Sequence, residues 1–187
     1  MLISGMHLHP LTSSSSSSLF RSLLLTSSFD STIKLWHVDQ MKEPLLVIPT
    51  SSSSSFHYVM DVKWSPTQAA VFCAITTGGY IEIWDLGLST TRAVDVLSLP
   101  GKGGSKHEDE GNTEEDNERE EDRNTVNCTT LNKICWSEDG MTLVVGDSLG
   151  FLYTVSVRID VTTFSISDMR FRELVEERIS RLKEKRE

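Results

Sequence analysis

One unit recurs three times along this chain, and that recurrence constrains the fold more than any composition figure. The first copy contains LLTSSFDSTIKLWHVD, Leu24 to Asp39. An apolar run, Leu23 to Leu25, ends in the small polar cluster Thr26, Ser27 and Ser28. Asp30 and Ser31 form a turn, because short polar side chains satisfy nearby backbone there. Thr32 to Trp36 then alternates, with Ile33 and Leu35 on one face. The second copy carries YVMDVKW, the run Ala69 to Ile75, the turn Gly78-Gly79 and the strand Tyr80 to Asp85. The third carries Leu131 to Trp136, Met141 to Gly146, the turn Asp147 to Gly150 and Phe151 to Val157. Trp36 and Trp84 stand 48 positions apart, or 43 once the five serines 51–55 are set aside. Trp84 and Val155, the equivalent position in the third copy, stand 71 apart, or 44 without residues 100–126. A period of roughly 40–45 residues means a stack of one supersecondary unit, each copy burying its apolar face on its neighbour.

The spacing of Ser28, Asp30, Thr32 and Trp36 resembles the core of a WD40 repeat. An all-β partial propeller of about three four-stranded blades follows from it: 1–50, 56–99 and 127–166. Inserts fall at 12–18, 51–55 and 100–126. In that family the turn Asp, the strand Ser or Thr and the Trp share one network inside the blade. The resemblance therefore gives Ser28, Asp30, Thr32 and Trp36, with Thr76 and Trp84 of the second copy, structural roles. Gly78 replaces the turn Asp in copy two and Val155 the Trp in copy three, so those networks are expected to be incomplete.

The last twenty residues change period. Phe171, Leu174, Val175, Ile179 and Leu182 follow helical spacing, with Ser167 as N-cap and Asp168 in the first turn. An amphipathic helix over 167–187 is expected. Phe171, Leu174 and Val175 form a stripe that either packs on the propeller or contacts a partner.

Charge matters only in its distribution. Of the net −9, residues 107–123 carry −8, leaving −1 for the rest, with no basic excess to hold nucleic acid. With almost no apolar residues, 100–126 is expected to be disordered, with docking of a basic partner the sharper reading of its charge. Replacing it with a short Gly/Ser linker is expected to leave the thermal midpoint unchanged; a large loss would show that it packs.

Little here suggests chemistry. His7 and His9 share a strand face, but no third metal ligand is spaced near them. Cys73, Cys128 and Cys135 form no CxxC, and reduced thiols are the simpler reading. Gly101 to Lys106 lacks phosphate-loop spacing, and no G-x-S-x-G or H-E-x-x-H occurs. No catalytic group, metal or cofactor is expected. Neither a signal peptide nor a membrane-length apolar run is present.

Taken segment by segment, the chain is more specific. Ile3 to His9, Leu25 to Asp30 with Ile33 to Trp36, Tyr58 to Pro66, Ile81 to Leu86, Leu131 to Trp136, Val145 to Gly150 and Arg170-Phe171 occur in order. Together they resemble the C-terminal WD40 blades of cytoplasmic dynein intermediate chains. The resemblance implies a non-catalytic subunit in the cytoplasm, on the microtubule cytoskeleton, whose propeller clamps the tail of the motor's heavy chain. It also implies that light chains and dynactin bind an N-terminal arm, which this sequence lacks. About seven blades are usual there, so the chain is expected to be a fragment, a truncated gene product or one half of a pair. Alone it is expected to associate and to hold the tail poorly. An axonemal intermediate chain, or a generic WD40 adaptor such as a ubiquitin-ligase substrate receptor, are the alternatives.

Overall fold

A computed structural model describes residues 2–10, 18–40, 42–50, 57–99, 129–158 and 164–185. The acidic segment, the phosphate-loop-like stretch, Cys128 and the serine tracts 12–17 and 51–55 lie outside the described residues.

The repeats fold as antiparallel sheets. Blade one pairs β1 (Ile3–Leu8), β2 (Leu23–Ser28), β3 (Thr32–His37) and β4 (Leu46–Pro49) in chain order. Blade two pairs β5 (Val59–Trp64), β6 (Val71–Thr76), β7 (Tyr80–Asp85) and β8 (Asp95–Ser98) likewise. Blade three holds β9 (Leu131–Trp136), β10 (Thr142–Asp147) and β11 (Leu152–Ser156). The expected fourth strand there is absent among the described residues. Residues 159–163, between β11 and the helix that follows, lie outside the described residues. That helix, α2, runs Phe164–Glu184 and starts before the expected Ser167. A one-turn helix α1 (Ser18–Arg21), hidden behind the serine tract, precedes β2.

Alternation in each strand divides every blade into a front and a back face. The back of blade one presents Leu23, Leu25, Ile33, Leu35 and Ile48, all fully buried. They share one core with Val62, Trp64, Phe72, Ala74 and Trp84 on the front of blade two. The back of blade two presents Cys73, Ile75 and Ile81, which share a second core with Leu143 and Val145 on the front of blade three. Blade two is therefore covered on both sides, and every side chain of β6 is buried. The inner strands β1, β5 and β9 touch in sequence around the arc.

Two regularities were invisible to the alternation. Each inner strand carries a one-residue register shift, skipping Ser4, Met60 and Asn132. The bulge at Met60 puts Val59 on the same side as Val62 and Trp64, where simple alternation would separate them. The turn after the second strand also has one left-handed position in every blade: Ser31 at φ 63°, Gly79 at 75° and Gly150 at 86°. Glycine suits it, and blade one holds it with a serine.

Candidate functional site

The candidate residues sit in the turns and third strands of the blades. In blade one the Asp30 carboxylate accepts the Thr32 amide at 3.1 Å, the Thr32 hydroxyl at 2.6 Å and the Lys34 ammonium at 3.0 Å. Burial works to raise the Asp30 carboxyl, but the Thr32 and Lys34 bonds outweigh it and hold it below the usual range. Ser28 accepts the Asp30 amide at 3.3 Å and donates to the Leu2 carbonyl at 3.0 Å, tying the turn to β1. Trp36 stands apart from this group: its indole N–H donates to the Thr26 hydroxyl at 2.9 Å. The structure thus brings Ser28, Asp30 and Thr32 together and gives Trp36 a partner the sequence reading did not name.

Blade two solves the same problem differently. Ala74 occupies the position of Thr26 and offers no acceptor, so the Trp84 indole donates to the buried Glu82 carboxylate at 3.0 Å. Thr76 accepts the Tyr80 amide at 3.3 Å across the turn. In blade three Asp147 stands at the position of Ser28 and Thr76. It accepts the Phe151 amide at 2.8 Å, the Leu149 amide at 2.9 Å and the Tyr153 hydroxyl at 2.9 Å. Burial opposes ionisation of Asp147, and these donors overcome it and hold the carboxyl low. The expected gap in blades two and three is therefore filled by Glu82, Asp147 and Tyr153. Lys34, Glu82 and Tyr153 occupy one equivalent position in the third strand, two residues before Trp36, Trp84 and Val155. The sequence reading missed them, and the signal that could have found them is a residue aligned at the repeat period and polar in all three copies.

Nearer the centre of the arc lies a charged group. The buried Asp61 carboxylate has Lys63 Nζ at 3.5 Å and Lys133 Nζ at 3.7 Å. His7 Nδ1 accepts the Trp64 amide at 3.0 Å. Gly5 lets β1 approach, since a Cβ there would meet Asp61 Oδ1 at 2.6 Å. His9 is buried with ring nitrogens 3.0 Å from the Ala69 carbonyl and 2.9 Å from that of Pro10. Among the described residues no three His, Cys, Asp or Glu gather as metal ligands. Burial pushes the Cys73 thiol far up, so it is no nucleophile. No described helix is long and apolar enough to cross a membrane.

Burial lowers the pKa of both His7 and His9, and the accepting Nδ1 of His7 keeps that ring neutral. With folded values below 6.5, the unfolded chain takes protons first. Their contribution is full above the unfolded value and is lost as pH falls below it. Between about pH 7.5 and about pH 5.5 the urea midpoint is expected to fall, and less so in His7→Asn, whose side-chain oxygen still accepts the Trp64 amide. Equal slopes would remove His7 from the explanation.

The helix α2 closes the seam between blades one and two. Phe171 stacks on Phe20 at 5.5 Å and 11° and lies 5.9 Å from Trp64; His9 stacks on Phe20 at 5.3 Å. Val175 and Ile179 continue the buried stripe, with Leu174 and Leu182 packed beside it. Ser167 does not cap the helix: it lies within the first turn and donates its hydroxyl to Asp85. Asp168 accepts the Ala70 amide at 3.2 Å, and burial raises its carboxyl. Gly87 makes room, since a Cβ there would strike the Ser167 backbone. Phe171 and Val175 are buried against the chain's own propeller, and Leu174 is partly buried beside them.

Comparison with known proteins agrees with this architecture. The WD domain, G-beta repeat family matches residues 6–37. The WD40 domain of Toxoplasma gondii coronin superposes with a TM-score of 0.55 at 14% identity, over 82% of this chain and 30% of that one, and this likeness shows the fold. The cytoplasmic dynein 1 intermediate chain of Drosophila melanogaster is 31% identical over 159 residues, which is 81% of this chain and 19% of that protein. Dynein axonemal intermediate chain 4 of Mus musculus is 36% identical over 80 residues, 42% of this chain and 9% of that one. The chain therefore spans at most about a fifth of these relatives. The chain has the WD40 fold, with three blades among the described residues, and over 81% of its length it is similar to part of a cytoplasmic dynein 1 intermediate chain.

Proposed function

We propose that the chain is a non-catalytic WD40 subunit of a cytoplasmic dynein complex, contributing to the hold on the heavy-chain tail during microtubule-based transport. The observation that carries this reading is the reach of the likeness. The match to the cytoplasmic intermediate chain covers 81% of the chain, whereas the match to the axonemal one covers 42%. A generic WD40 adaptor would share the repeats but not a match of that length. The buried polar groups support a scaffold: Glu82, Asp85 and Asp147 each accept bonds that fix strands, turns or the helix. Work on the microtubule cytoskeleton, in the cytoplasm, belongs to the same reading, as does contact with light chains and dynactin through other parts of such a complex.

The test is capture of the tagged chain from cells after cross-linking, with identification of what it holds. Dynein heavy-chain tail is the expected result. Axonemal heavy chains would favour the second reading, and ubiquitin-ligase subunits without any heavy chain would overturn the dynein assignment.

A further inference from the structure

We draw no further inference here: the strongest candidate, the two apolar sheet faces left over among the described residues, the front of blade one with Met6 and Val47 and the back of blade three with Val144 and Leu152, carries none, because nothing in the structure shows what covers them.

Discussion

Trp84→Ala is expected to be the most damaging single truncation in the chain. Trp84 is fully buried in the seam between blades one and two, and its indole is the donor to the buried Glu82 carboxylate. Truncating a buried Trp costs about 3–5 kcal/mol, and withdrawing a donor from a buried acceptor adds to that. Against a typical domain stability of about 5–15 kcal/mol, that is enough to leave a visible unfolded fraction without denaturant. Trp36→Ala should cost less, because Trp36 is only partly buried and its partner is the neutral Thr26 hydroxyl. Val155→Ala should cost least, since it removes two methyl groups from a half-buried site. Urea midpoints measured on the three variants should fall in that order. Equal shifts for Trp84 and Trp36 would mean that the two sheets are not packed front to back as described.

Phe171→Ala is expected to approach that effect through a different element. The ring is fully buried between Phe20 of α1 and Trp64 of β5, so it joins the helix, blade one and blade two at once. A loss of about 3–5 kcal/mol is expected from the cavity and the lost ring contacts. Met169→Ala, two residues away on the exposed face, should stay within about 0.5 kcal/mol of wild type. Thermal unfolding followed by far-ultraviolet dichroism separates the two. An undisturbed midpoint in Phe171→Ala would show that the helix does not hold the seam, and would return its stripe to partner binding.

Much of this was legible because strands announce themselves by alternation. β7 and β9 fall where the pattern put them, and the other strands shift by a residue or two. What escaped the sequence depends on tertiary choice. Trp36 and Trp84 look alike in their copies, but one indole finds Thr26 and the other, facing Ala74, must use Glu82. Nothing local distinguishes these outcomes. Ser167 reads as a helix cap because serine favours that place, yet its hydroxyl is drawn to Asp85, a residue distant in sequence. The register shifts at Ser4, Met60 and Asn132 leave no composition signal, because a bulge is a property of the pair of strands. The third blade was read with a fourth strand by analogy with the others, and the residues that would form it lie partly outside the described ones.

The account rests on blade two being sandwiched between its neighbours, and amide hydrogen exchange tests that most directly. Amides of β5, β6 and β7 are expected to exchange more slowly than those of β10 and β11. Opening blade two must break two apolar seams, and opening blade three only one. Blade-three amides protected as strongly as those of blade two would contradict the order of blades, and with it the seams on which the fold stands.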